Sequence, residues 1–228
     1  GVTIACGPLA APLFRAEPSL ERIVVMQKDK LAGHWLALWR DLIGHSYDLA
    51  IDLRGSATSY FLPVKKRIVF RSGKAGGHKL DELAALMGSD APLEMKIHLD
   101  PRARRDAKAF AGADKKLLLI GAGANWIGKT WPRENFAALA KRLTKPGAPL
   151  TDARIVVLGG PDEGGVLDPL AEELQNAGLD VRVSPGAIDL LACAALMERA
   201  ALYVGNDSGL MHLSGAMRAP TRRSARRT

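Results

Sequence analysis

Asp207-Ser208-Gly209, with His212 three residues further on, is the stretch best suited to chemistry. It follows Leu202–Gly205, which reads as a short buried strand. It precedes Leu210–Met217, which reads as a helix of small and apolar residues. A strand, a sharp polar turn and a helix leave unbonded N–H groups and the positive end of the helix dipole at the turn. α/β proteins bind phosphate groups in this way. Asp207 and Ser208 are good capping types, and His212 lies one helical turn from Ser208, facing the same mouth. A plain capped turn with a surface histidine would use the same residues, so the weight falls on the accompanying loops.

Three such loops follow strand ends in the second half. Gly121-Ala122-Gly123-Ala124-Asn125-Trp126-Ile127-Gly128-Lys129 offers glycines for close backbone approach to an anion and a lysine as a mobile charge. Gly123 to Thr130 satisfies the spacing of a Walker A loop. However, Trp131-Pro132 follows at once, and the residue before a proline is driven away from the helical region that a P-loop requires. Gly159-Gly160-Pro161-Asp162-Glu163 carries acids that could receive a ribose hydroxyl pair, or it is a solvated tight turn. Ser184-Pro185-Gly186-Ala187-Ile188 offers backbone and apolar contact to a base, or is a plain connection. Anion donors together with a ribose-binding acid suggest a nucleotide diphosphate ligand.

The elements that must position these loops alternate in type. In the first half, strands are expected at Val2–Cys6, Arg22–Gln27, Tyr47–Leu53 and Lys65–Phe70. Helices are expected at Leu31–Ile43, around Ser56–Pro63 and at His78–Met87, and Leu93–Asp100 reads as extended. Pro101–Gly112 is a charged, Ala-rich helix or linker. In the second half, strands at Lys116–Ile120, Ala153–Gly160, Leu179–Val183 and Leu202–Gly205 alternate with helices at Pro132–Leu143, Val166–Ala177 and Asp189–Arg199. Strands alternating with helices imply parallel sheets of right-handed βαβ units. The expected division is two Rossmann-like domains, residues 1–108 and 109–228, with a cleft at the strand C-termini.

Composition bounds the reading. The 228 residues are 47% apolar, enough for a real core, and no apolar run is long enough to span a membrane. The opening GVTIACGPLAAPLF lacks the basic segment of a signal peptide. Cys6 and Cys193 are far apart in apolar surroundings, which predicts two buried thiols rather than a disulfide or metal pair. The net charge of +8 is mostly a property of the tail. Arg218, Arg222, Arg223, Arg226 and Arg227 stand there without an acid, leaving 27 basic residues against 24 acidic ones elsewhere. The tail has no interleaved aromatics, and no nucleic-acid-binding motif is present.

Taken together, Lys129-x-Trp131-Pro132, the Gly-Gly-Pro-Asp-Glu turn at 159–163 and Asp207-Ser208-Gly209-x-x-His212 resemble glycosyltransferase family 9, the ADP-heptose:lipopolysaccharide heptosyltransferases. The likeness extends more loosely to YDLAIDLRGS (Tyr47–Ser56) and the KKRIVF strand, and covers about Val2 to Thr221. It implies a GT-B fold: two Rossmann-like domains with parallel sheets facing a cleft, the donor held mainly by the second. It implies inverting transfer of heptose from ADP-heptose to the lipopolysaccharide inner core. The enzyme would be cytoplasmic, peripheral to the inner membrane, without nucleic-acid partners, a required cofactor or a metal.

By the same resemblance, Lys129, Asp207 and His212 are the catalytic group that meets the diphosphate. Asn125, Ser208 and Gly209 also touch the phosphates, Ile188 lies near the adenine, and Asp162 or Glu163 meets the ribose. The chain departs from the family at both ends. The first βα unit, with the Gly-Asp turn carrying the general base, is missing by this comparison. After Ala219-Pro220-Thr221 the expected apolar strand gives way to RRSARRT. Both domains are therefore expected to be incomplete, and efficient turnover is not expected. Two other readings stand beside this one: a non-catalytic nucleotide-sugar-binding domain, and a nicotinamide-dependent Rossmann oxidoreductase. The last expects G-x-G-x-x-G, whereas Trp126 stands where Gly121-x-Gly123 needs its third glycine.

Overall fold

Residues 1–27, 33–70, 79–91, 93–123 and 130–223 are described in a computed structural model of the chain. The chain divides into two units. One comprises Gly1–Phe14 and Pro18–Met95; the other comprises Arg15–Glu17 and Lys96–Thr228. The division falls at 95/96 rather than 108/109. The charged Ala-rich stretch is the reason: it is a helix of the second unit, with an alanine face at Ala103, Ala107 and Ala111 that is fully buried.

The N-terminal unit contains β1 (Val2–Cys6) paired in parallel with β2 (Leu20–Val25), α1 (Gly33–Ile43), then β3 (Tyr47–Asp52) paired in parallel with β4 (Val64–Val69), and α2 (Lys79–Met87). The expected helix around Ser56–Pro63 is a short 3-10 turn, Ala57–Phe61, and a second such turn forms at Ala11–Phe14. Residues 93–100 form no strand. The two strand pairs are separate two-stranded sheets. Their common core is small: Val24, Leu38 and Leu42, with Met26, Trp35, Tyr47 and Leu62 packed against them.

The C-terminal unit contains α3 (Pro101–Ala111), β5 (Leu117–Gly121), α4 (Arg133–Thr144), β6 (Arg154–Gly159), α5 (Gly164–Asn176), β7 (Val181–Pro185), α6 (Leu190–Glu198), β8 (Ala200–Gly205), α7 (Gly209–Ala216) and β9 (Thr221–Arg223). All strands pair in parallel, in the order β7-β6-β5-β8-β9. β5 is the centre, which explains its uninterrupted Leu-Leu-Leu-Ile run: both of its faces are covered. α6 is buried nearly all round, as its Leu-Leu-Ala-Cys-Ala-Ala-Leu-Met sequence requires. Pro132 stands at the N-cap rather than inside the first turn, its carbonyl accepting from Asn135 and Phe136.

One expectation is overturned at the sheet edge. Thr221–Arg223 does continue the fold as a strand, pairing with Tyr203–Gly205. β8 would otherwise expose its outer backbone groups, and Tyr203 N–H reaches Pro220 O at 2.8 Å. The Ser214 and Thr221 hydroxyls bond at 2.9 Å and fix the strand to α7. A short, basic strand suits an outer edge. Both cysteines are free thiols, as expected; Cys193 is buried, which pushes its thiol up to about 12, whereas Cys6 is only half-buried. Among the described residues no helix is long and apolar enough to cross a membrane.

Helix capping ties the C-terminal unit together. Asp100 caps α3 by accepting from Ala103 N–H, and Asp189 caps α6 by accepting from Ala192 N–H. Arg15 binds both caps at once, Nε to Asp100 at 2.5 Å and Nη1 to Asp189 at 2.7 Å. Across the sheet, Arg154 holds Asp180 with Nη2 at 2.9 Å. The Arg15 hydrogen bond keeps Asp100 below the usual carboxylate range, and the Arg154 hydrogen bond does the same for Asp180. At Asp189 burial pushes upward, but Arg15 and the Ala192 N–H outweigh it.

Because these folded pKa values lie below the unfolded value of about 3.9, the stabilisation is complete above that pH and is lost as pH falls through the folded values. Urea midpoints should therefore fall below about pH 4. Asp180→Asn should be clearly less stable than wild type at pH 6, and the difference should shrink as pH falls below about 4; a constant difference as pH is lowered contradicts the assignment.

Candidate functional site

In the C-terminal unit the strand order reverses at β5. β6 and β7 step outward on one side, β8 and β9 on the other. The loops after β5 and β8 diverge from that point, where open α/β sheets leave a crevice at their carboxyl edge. Gly121-Ala122-Gly123 leaves β5, and Asn206-Asp207-Ser208 leaves β8 to enter α7. Chain order alone does not make these loops neighbours; the register Gly121↔Gly205 does.

Asn206 fastens the two loops together and is fully buried. Its Nδ2 donates to Ala122 O at 2.6 Å, its Oδ1 accepts from Trp131 N–H at 2.9 Å, and its own N–H donates to Gly121 O at 3.0 Å. One side chain thus fixes both ends of the segment that contains Asn125 and Lys129. Asn125 and Lys129 themselves lie outside the described residues. Trp131 continues the anchorage, edge-on to Phe136 of the core with ring centroids 4.9 Å apart.

Below this junction lies Tyr203, fully buried on β8. Its hydroxyl oxygen sits where a Cβ would stand on either Gly121 or Gly205. The glycines that close β5 and β8 therefore make room for the tyrosine. Among the described residues, the hydroxyls of Tyr203 and Ser208 are both buried without a partner at full hydrogen-bond geometry. Burial pushes the Tyr203 phenol well above its ordinary value, with the nearby Ser208 hydroxyl acting in the opposite direction.

Ser208 occupies the N-cap of α7, but its side chain makes no cap bond, contrary to the capping role its type suggests. Its carbonyl accepts from the Met211 and His212 N–H groups, so the N–H groups of Gly209 and Leu210 lead the helix. Gly209 is exposed, and a Cβ there would meet nothing within 4 Å. Among the described residues, no packing contact requires glycine at 209. Asp207 is half-buried and His212 is exposed.

The β6 and β7 loops lie on the other flank. Glu163 Oε2 accepts from Gly160 N–H at 2.7 Å, and its carboxylate occupies the place of a Cβ on Gly123. Asp162 is exposed. Gly186, with φ of +72°, donates to Gly159 O at 3.0 Å, and a Cβ on it would stand 2.9 Å from Pro161 Cβ. Ile188 is half-buried beyond it. Of the residues singled out in the sequence, Glu163 therefore reaches the β5 loop, and Asp207, Ser208, Gly209 and His212 share the α7 end. The sequence alone marks neither Asn206 nor Tyr203 as part of the site. The signal available was a glycine at the end of each of two apolar runs, one of them two residues after a tyrosine.

The chain has relatives. The family model described as "Glycosyltransferase family 9 (heptosyltransferase)" matches residues 79–221. "Lipopolysaccharide heptosyltransferase 1" of Pseudomonas aeruginosa is 26% identical over 212 residues, which are 83% of this chain and 57% of that protein. The chain thus spans little more than half the length of that relative. The solved structure of Escherichia coli ADP-heptose lps heptosyltransferase II superposes with a TM-score of 0.79 at 19% identity, covering 97% of this chain and 74% of that one. E. coli heptosyltransferase WaaC with ADP-2-deoxy-2-fluoro heptose superposes with a TM-score of 0.63 at 19% identity, covering 96% and 77%. The fold class is α/β with parallel sheets, of GT-B type.

Proposed function

Because the chain belongs to glycosyltransferase family 9, we propose that its C-terminal unit holds the donor half of a heptosyltransferase site, binding ADP-heptose for inverting transfer to the lipopolysaccharide inner core. The observation that carries this reading is the Asn206 junction, which ties the start of the β5 loop to the turn entering α7 at the point where the strand order reverses. The relative solved with an ADP-heptose analogue supports the choice of donor.

In this proposal the diphosphate lies across Gly209 and Leu210 N–H, with the Ser208 hydroxyl gaining the partner it lacks. Asp207 and His212 orient the sugar side, and Lys129 with Asn125 closes on the phosphates from the β5 loop. Glu163 orders the glycine loop and, with Asp162, faces the ribose; Ile188 meets the adenine. Bond breaking puts negative charge on the departing ADP. Helix-end N–H groups and a lysine stabilise that charge more in the transition state than in the ground state. A separate carboxylate must take the acceptor hydroxyl's proton. The place of work is the cytoplasmic face of the inner membrane.

The test is thermal protection. ADP-heptose at about one hundred times its Kd should add about 2.7 kcal/mol of stability, and NAD should add none. Gly209→Ala should leave the unliganded Tm unchanged or slightly raised, since the Cβ meets nothing, yet weaken ADP-heptose at least tenfold. Asp207→Ala should weaken it further. Equal protection of wild type and both variants refutes the site. Protection without heptosyl transfer to a core acceptor would reduce the proposal to nucleotide-sugar binding.

A further inference from the structure

Among the described residues, Tyr203 is the largest side chain that the core encloses completely. For apolar burial alone a phenylalanine would serve as well, without carrying a polar atom out of water. The place of that atom is specific. It stands where a Cβ would be on Gly121 and on Gly205, the last residues of β5 and β8, which pair in register. The phenol therefore runs along the sheet to its carboxyl edge, and its oxygen lies beneath the point where the chain leaves for α7.

Ser208 closes on the same place from the turn. It is the N-cap of α7, with φ of −140° and ψ of 176°, the extended backbone from which a serine side chain ordinarily caps a helix. Its hydroxyl makes no cap bond, and its Oγ is buried. The side chain is turned inward, near enough to the Tyr203 oxygen to act on it. Burial above all, with the charge of Glu163 in the same direction, keeps the phenol protonated, so it meets Ser208 as an O–H donor.

The two hydroxyls hold two protons, and one hydrogen bond between them can use only one. When Tyr203 donates to Ser208 Oγ, the Ser208 proton remains, and among the described residues nothing accepts it. Buried donors left over in this way are uncommon and costly. An acceptor brought to the start of α7 would use the proton, and an anionic oxygen would use it best, because charge-assisted bonds are the stronger ones.

We propose that Tyr203 is a positioning residue for the nucleotide diphosphate: its hydroxyl donates to Ser208 Oγ and directs the Ser208 proton to a phosphate oxygen. This deepens the donor-site reading of the C-terminal unit and rests on it. Tyr203 acts in two ways. It holds Ser208 away from the cap position, so the serine does not consume the Leu210 or Met211 N–H that a capping side chain would take. It also polarises the Ser208 O–H, since a hydroxyl that accepts one hydrogen bond donates the next more strongly. The serine thereby serves the site as a donor to an anion and not as a helix cap.

The test is the Kd for ADP, measured by calorimetric titration on the full chain and its variants. Tyr203→Phe should keep the unliganded urea midpoint near that of wild type and weaken ADP about fivefold, the worth of one ordinary hydrogen bond. Ser208→Ala should weaken ADP about tenfold, as befits a bond to a charged acceptor. The double variant should bind no more weakly than Ser208→Ala, because Tyr203 works only through the serine. Ser208→Thr keeps a hydroxyl and should retain both the affinity and its dependence on Tyr203. Equal affinity of Tyr203→Phe and wild type, with Ser208→Ala weakened, overturns the role of Tyr203 and leaves the donor site standing. A Tyr203→Phe loss that persists undiminished in the Ser208→Ala background overturns it as well, since such a loss is structural. A wild type that does not bind ADP, or a Ser208→Ala variant that binds it equally well, removes the donor-site reading and the proposal with it.

Discussion

Asn206→Ala should lower the stability of the C-terminal unit by about 3 kcal/mol and abolish protection by ADP-heptose. Alanine removes a donor to Ala122 O and an acceptor for Trp131 N–H, leaving two main-chain groups unsatisfied around a fully buried position. Orphaned buried groups cost about 1–3 kcal/mol each. The loss of binding follows from position. The side chain ties Ala122 and Trp131 to the loop after β8, so without it the chain between them is held to the α7 end only through main-chain pairing. Asn206→Asp gives a sharper check. As a carboxylate it would set an oxygen against Ala122 O; as a neutral acid it can donate there. Burial raises its folded pKa, so its deficit relative to wild type should be smallest at low pH and grow as pH rises through that value. Urea titrations at pH 4 and pH 7 measure this. A pH-independent deficit, or an Asn206→Ala chain within 0.5 kcal/mol of wild type, contradicts the role given to this side chain.

Gly121→Ala should cost about 3 kcal/mol, at the upper end of the usual penalty for overpacking, because the new methyl would overlap the Tyr203 hydroxyl in a fully buried setting. The effect has a specific remedy. Removing that oxygen leaves Tyr203 Cζ, at 3.0 Å, as the nearest atom, so Gly121→Ala with Tyr203→Phe should recover most of the loss. Tyr203→Phe alone should change stability by less than about 1 kcal/mol, since among the described residues its hydroxyl has no well-formed hydrogen bond to lose. A double variant as unstable as Gly121→Ala would show that the glycine is needed for another reason. These two variants also separate fold from ligand. Gly121 is required by the protein's own packing, whereas among the described residues no packing contact requires glycine at 209. Gly121→Ala should therefore damage the unliganded protein, and Gly209→Ala only the complex.

The parts legible in the sequence were local. Hydrophobic runs gave the strands of the C-terminal unit to within a few residues, and Asp100 and Asp189 were already in place to cap their helices. The boundary between units was misplaced because the basic surface of Pro101–Gly112 hides a buried alanine face that only α6 explains. The last strand was missed because Thr-Arg-Arg has no apolar pattern of its own; it is extended because β8 offers unpaired backbone groups.

The family motifs, the alternating elements and the anion-binding character of Asp207-Ser208-Gly209 were determined by the sequence alone, because each depends on neighbours in the chain. Pairing and burial were decided by the tertiary structure. Parallel register brought Gly121 opposite Gly205, and burial turned Asn206 from a turn residue into the joint between two loops. It also gave two ordinary-looking glycines the task of admitting a tyrosine. Such contacts join residues some eighty positions apart. Local propensity cannot specify them; they follow from a sheet that places its first and fourth strands side by side.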